Sequence, residues 1–251
     1  MYENNQMDEY NSLKKLISTY FTYFDHSPYE ENKVNQRKEY RILPFLTSIL
    51  ENGKLPENIK MISWNYDNQI ELFANYKTTD SFKYLKGFTA WPNTVNSDNI
   101  SYTNEGKLPF LIHLNGLAGF KYDKMKFAEK SITPIAELAA TEHNPLLSFS
   151  WEASSDEILP TFNTTRLDLA KQMVTGTEYL VIVGYSFPFF NRSFDKILLD
   201  VMNSSLIKIY YQEPNTDIGP EDLINKFDLN ISSDKIKMIR DVGQYHIPHE
   251  L

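Results

Sequence analysis

The sequence predicts an α/β protein: a mostly parallel sheet with helices on both faces. Three observations carry this expectation. Residues 164–239 read helix–strand–helix–strand–helix–strand. Their strands, such as Tyr179-Leu180-Val181-Ile182-Val183, are continuous apolar runs, as in strands buried on both faces. Two further apolar runs upstream, 60–64 and 110–114, end in the same kind of polar turn.

From the N-terminus, Leu13, Leu16, Ile17, Tyr20, Phe21 and Phe24 recur at spacings of three and four, which predicts an amphipathic helix over 8–24. Ser27-Pro28 and the polar stretch 29–39 break it. A second helix over 42–52 carries Ile42, Phe45, Leu46, Ile49 and Leu50, with Gly53 placed to cap its end and Pro56 beyond. The first strand, Lys60 to Trp64, ends in Asn65-Tyr66-Asp67, and a helix follows through Ile70, Leu72 and Phe73. Residues 77–107 have no period and read as loop with short extended pieces. The second strand, Phe110 to Leu114, ends in Asn115-Gly116, and two short helices are expected within 120–160. Thr164 or Thr165 is expected to cap a helix carrying Leu167, Ala170, Met173 and Val174. The strand Tyr179 to Val183 ends in Gly184-Tyr185-Ser186. Asn191 is expected to cap the next helix, with Phe194, Ile197, Leu198, Val201 and Met202 on one face. The strand Ile207 to Tyr211 ends in Gln212, and a helix around 220–228 leads to the strand Ile236 to Ile239. Without repeats, low-complexity tracts or a linker, residues 1–251 read as a single domain: a helical segment 1–57 and a sheet-forming part 58–251.

Composition narrows the chemistry. The 251 residues include 16 Tyr and 16 Phe, too aromatic for a disordered chain. There is no cysteine, which excludes disulfides, thiolate metal sites and cysteine nucleophiles. The net charge of −8, with no Lys/Arg cluster, argues against nucleic acid as a partner; Lys121 to Lys130 alternates with acids and reads as a solvated face. No apolar run is long enough for a bilayer, and no signal peptide opens the chain, so a cytoplasmic location without membrane attachment is expected. His246-Ile247-Pro248-His249-Glu250 is not read as a metal site, because Pro248 opposes the helix that would align the histidines. Ser186 in Gly-Tyr-Ser-Phe-Pro does not form a nucleophile elbow. Arg166, Asp168, Asp195 and Asp200 read as surface.

In an open parallel sheet, ligands bind beyond the carboxyl ends of the strands. The residues there are Asn65 and Asp67, Asn115 and Gly116, Gly184 and Ser186, and Gln212. Turn chemistry alone also favours these residue types. Ile62-Ser63-Trp64-Asn65-Tyr66-Asp67, Leu111-Ile112-His113-Leu114-Asn115-Gly116 and Val181-Ile182-Val183-Gly184-Tyr185-Ser186-Phe187, in this order, resemble segments of the sirtuin-related (SIR2-like) bacterial proteins of the defence-associated type. There is some similarity to the AbiH-like abortive-infection proteins as well. The resemblance covers roughly residues 58–212.

It implies a Rossmann-like fold, with NAD as ligand or as substrate of a glycohydrolase in anti-phage defence, and no metal. It also implies catalytic roles near Asn65, His113 and Asn115, and cofactor contacts at Asn65, Asp67, Gly116, Gly184, Tyr185, Ser186 and Gln212. Two departures stand out. Asn115 occupies the position where the family has a general-base histidine, and a carboxamide takes up no proton at neutral pH. His113 shares its strand face but lies about 6.6 Å away along the strand, and a lone histidine in an apolar strand is commonly a hydrogen-bonded core residue. The chain also has no Gly-X-Gly, so the first glycine-rich nucleotide-binding unit is missing or unrecognisable. The departures open an alternative: a catalytically silent nucleotide-binding or interaction module that pairs with a second copy or a partner subunit.

Overall fold

The computed structural model describes residues 2–26, 41–78, 81–91, 108–123, 126–127, 145–149, 152 and 160–250. In chain order the elements are α1 (Tyr2–His26), α2 (Ile42–Ser48), β1 (Met61–Ser63), α3 (Gln69–Ala74), β2 (Asn75–Thr78), β3 (Ser81–Tyr84), β4 (Ala90–Trp91), β5 (Leu111–His113), β6 (Gly116–Asp123), β7 (Lys126–Phe127), β8 (Pro145–Leu147), α4 (Pro160–Val174), β9 (Tyr179–Val183), α5 (Arg192–Met202), β10 (Lys208–Gln212), α6 (Pro220–Phe227) and β11 (Ile236–Ile239). The protein is mixed α/β, with both parallel and antiparallel sheets among the described residues. Contacts group the chain into two compact units: residues 1–39 with 59–149, and residues 40–58 with 150–251.

In the first unit, β5 is the centre of a parallel sheet of order β1-β5-β4. Leu111, Ile112 and His113 are all fully buried, which is why this strand reads as unbroken apolar sequence rather than alternation. β2 and β3 form a hairpin within the stretch read as loop with extended pieces. Residues 116–123, partly in a region where short helices were expected, instead form β6, which pairs antiparallel with β7 and β8. Much of the remainder of 120–160 lies outside the described residues.

α1 packs against β6 and β8, but on a different face from the one its apolar spacing predicts. Leu13, Leu16 and Tyr20 are 45, 66 and 55% exposed, whereas Lys14 and Ser18 are buried. The aromatic rings of Tyr66 and Phe149 explain the rotation. Tyr10 meets Phe149 edge-on at 6.0 Å, Phe21 meets Tyr66 at 5.8 Å, and the Lys14 ammonium sits 4.8 Å over the Tyr10 ring.

In the second unit, β10 is the centre of a parallel sheet of order β11-β10-β9, with α5 and α6 as the crossovers. α5 buries Phe194, Leu198, Leu199 and Met202, and α6 buries Leu223 and Phe227. Arg166 and Asp195, read as surface from the sequence, are 0% and 4% exposed; the Arg166 guanidinium lies 5.1 Å over the Phe194 ring. α4 begins at Pro160, so Thr164 and Thr165 are inside the helix rather than caps. α2 ends at Ser48, and Gly53 does not cap it. Asn52 and Gly53, at φ +50° and +73°, are the central pair of a tight turn closed by two hydrogen bonds between Glu51 and Lys54, the Asn-Gly geometry of a two-residue hairpin.

Candidate functional site at the carboxyl ends of the parallel strands

In the first unit, β1 and β5 run parallel with Ser63 opposite His113, so their carboxyl ends bring Asn65, Asp67, His113 and Asn115 to one edge. Every backbone carbonyl leaving β1 is taken. The Ser63 carbonyl accepts from the Leu114 N–H at 2.9 Å, and the Tyr66 carbonyl from the Ala118 N–H at 2.8 Å. Between them, the Trp64 carbonyl accepts from the Asn115 amide nitrogen at 2.8 Å, and the Asn65 carbonyl lies 3.4 Å from His113 Nδ1. Two side-chain donors thus continue the ladder where two backbone donors leave it. This accounts for the polar residue types at 113 and 115.

The other ring nitrogen of His113 lies 2.8 Å from Glu71 Oε1, a carboxylate brought in by α3 and itself 4% exposed. Burial disfavours the imidazolium, but the Glu71 charge and its hydrogen bond outweigh that, with help from the Asn65 carbonyl and Asp67, and hold His113 above its ordinary range. Glu71 Oε2 and Asn115 Oδ1 are buried acceptors without a hydrogen-bond partner.

The side chains of the turn differ: Tyr66 packs against the Phe21 and Phe149 rings, and Asp67 is half-buried. Asn65 is exposed, and its backbone N–H donates to Ser63 Oγ at 3.1 Å. Asp67 Oδ1 accepts the Gln69 N–H at 3.2 Å, which starts α3. Burial pushes the Asp67 carboxyl above its ordinary range, against the opposing effects of that hydrogen bond and His113. Gly116 has a packing reason. It sits at φ +76°, and a Cβ there would lie 2.0 Å from the Leu146 carbonyl oxygen of β8.

In the second unit, Gly184 leaves β9 at φ +61° with open space where a Cβ would stand. The Tyr185 hydroxyl donates to Asp195, 3.0 and 2.9 Å from its two oxygens, and accepts from the Asn191 amide at 2.9 Å. Burial and the Asp195 charge push that hydroxyl far up. Asn191 does precede α5, yet its side chain goes to Tyr185 and caps nothing. Ser186 is exposed, and its carbonyl accepts from Lys226. Gln212 is the last residue of β10, not the first beyond it. It is 2% exposed and committed to the backbone of the C-terminal segment: its amide donates to the Asp241 and Gln244 carbonyls, and its oxygen accepts the His246 N–H at 3.2 Å. That segment also brings the Glu250 carboxylate 2.7 Å from the Tyr210 hydroxyl and stacks His246 on the Tyr210 ring.

The structure therefore gathers Asn65, Asp67, His113, Asn115 and Gly116 in one unit, and Gly184, Tyr185, Ser186 and Gln212 in the other. Glu71 is the residue that sequence reasoning missed; a single acid between Ile70 and Leu72 gives no signal until His113 is placed opposite it. Among the described residues, no cluster of three or more His, Asp or Glu is arranged to hold a metal ion, and no helix is long and apolar enough to cross a membrane. Compared with known protein families, with characterised proteins and with solved structures, the chain matches none.

Proposed function

We propose that the turn after β1 belongs to a nucleotide site of sirtuin-like type, in which NAD is bound and its nicotinamide–ribose bond is hydrolysed. The observation supporting this reading is the division of labour in the turn: its carbonyls are tied down by residues 113–118, while the Asn65 side chain is exposed and the Asp67 carboxyl half-buried at a parallel strand end. Asn65 would hold a ligand amide or hydroxyl. Asp67, whose carboxyl burial raises, is suited to take a proton from water as the water oxygen bonds to the ribose carbon and the nicotinamide leaves with the electron pair. His113 and Asn115 act as scaffold, holding the turn rather than touching the ligand. Bacterial anti-phage defence is the setting that the sequence resemblance implies.

The test is thermal melting with millimolar NAD, ADP-ribose and nicotinamide added separately, followed by an NAD-consumption assay on the same sample. A ligand that binds only the folded protein raises the midpoint. The proposal expects a rise with NAD, consumption of NAD, and loss of turnover in Asn65→Ala. No rise and no consumption at any pH would refute it. A rise without consumption would support the second reading, a silent nucleotide-binding module that pairs with a partner. The full burial of His113, which leaves no imidazole at the edge as a base, favours that reading.

A further inference from the structure

His113 has two hydrogen-bond partners, and both are acceptors. Nε2 lies 2.8 Å from the Glu71 carboxylate and Nδ1 lies 3.4 Å from the Asn65 carbonyl. A neutral imidazole carries one N–H, so it satisfies one of them and turns a lone pair toward the other. The imidazolium alone satisfies both. The three groups come from three places in the fold: Glu71 from α3, His113 from the central strand β5, and Asn65 from the turn after β1. His113 and Glu71 are buried, where an unsatisfied contact is costly.

We propose that protonated His113 is a latch, holding the Asn65–Asp67 turn to β5 and α3, and that loss of its proton releases the Asn65 carbonyl and loosens the turn. His113 is then a positioning residue, acting on a ligand through the turn. For NAD this rests on the function proposed above; the latch itself does not.

The charged groups around the ring favour the closed state. Glu71 faces it from α3 and Asp67 from the turn, while the residues of β1 (Met61, Ile62, Ser63) and β4 (Ala90, Trp91) carry no charge. Both acids support the proton, in line with the upward direction for His113. The sign follows. A group whose folded value lies above its ordinary 6.5 stabilises the fold below that ordinary value, and this contribution is lost as pH rises through the raised one. The latch is closed on the acid side of the raised value and opens as pH climbs through it.

The experiment is nitrogen NMR of the histidine side chains across a pH series, with amide exchange of Asn65, Tyr66 and Asp67 measured on the same samples and corrected for intrinsic rates. The expected result is a His113 ring carrying both protons at pH 6, and turn amides whose exchange accelerates with the same midpoint as the ring. In Glu71→Gln, which keeps an acceptor but removes the charge, the midpoint should fall by about one to three pH units. A singly protonated His113 at pH 6, or turn amides indifferent to its titration, would overturn the proposal. The wild-type titration stands if the variant fails to fold. If NAD does not bind, these readouts are unaffected. If it does, its thermal shift should shrink as the ring deprotonates.

Discussion

Gly116→Ala tests whether that glycine serves packing rather than ligand approach. The added methyl would lie 2.0 Å from the Leu146 carbonyl oxygen and 3.0 Å from its carbon, both backbone atoms of β8 that cannot rotate away. The residue must also hold φ +76°. The left-handed conformation costs about 1–2 kcal/mol for a residue with a Cβ, and overpacking typically adds about 1–3 kcal/mol, so the sum is about 2–5 kcal/mol. At about 2–4 °C per kcal/mol, the midpoint should fall by about 4–20 °C. Gly184→Ala is the control. Its φ is +61°, yet a Cβ meets nothing within 4 Å, so only the conformational cost of about 1–2 kcal/mol applies. Urea and thermal unfolding of both variants give the comparison. Equal losses would refute the steric argument. An unchanged midpoint in Gly116→Ala with a lost NAD shift would mean that the glycine admits a ligand, not β8.

Three further outcomes follow from the side-chain contacts. Asp67→Asn should gain stability relative to wild type as pH rises: the raised carboxyl stabilises the fold below its ordinary 3.8 and loses that contribution as pH climbs through its folded value, so urea midpoints at acid and neutral pH should diverge in the variant's favour. Gln212→Ala removes three contacts to the C-terminal segment and should cost about 1–3 kcal/mol, with faster proteolysis within 240–250; unchanged digestion would refute the anchoring role. Tyr185→Phe deletes the hydroxyl between Asp195 and Asn191 and should lower stability by about 1–3 kcal/mol, read by urea unfolding, without abolishing the fold.

The strands that were legible in the sequence are those whose apolar runs are unbroken. β1, β5, β9, β10 and β11 fall where such runs predict them; β5 and most of β10 are buried on both faces, which leaves no other composition. α1 shows what periodicity misses. Its existence follows from spacing, but its inward face is set by rings on Tyr66 and Phe149, distant in sequence, which draw in Lys14 where a leucine stripe was expected. β6 was missed because Gly116-Leu117-Ala118-Gly119 resembles a turn, and only the approach of β8 makes it a strand. At the site, Asn65, Asp67 and Asn115 were legible as strand-end polar residues, and His113 as a lone histidine within an apolar strand. The role of Asn115 as a donor to Trp64, and the presence of Glu71, depend on pairings across the fold that one-dimensional spacing does not carry.

The route of the chain through its two units bears on how it is made. Residues 1–39 go with 59–149, whereas 40–58 go with the segment that begins at 150. During synthesis, Ile42 and Leu46 of α2 and the following Ile49 therefore emerge well before the strands of their own unit. They remain uncovered while β1 to β8 form, a window in which exposed apolar surface invites chaperones or misassociation. Neither unit is a contiguous stretch of gene, so no single truncation isolates one.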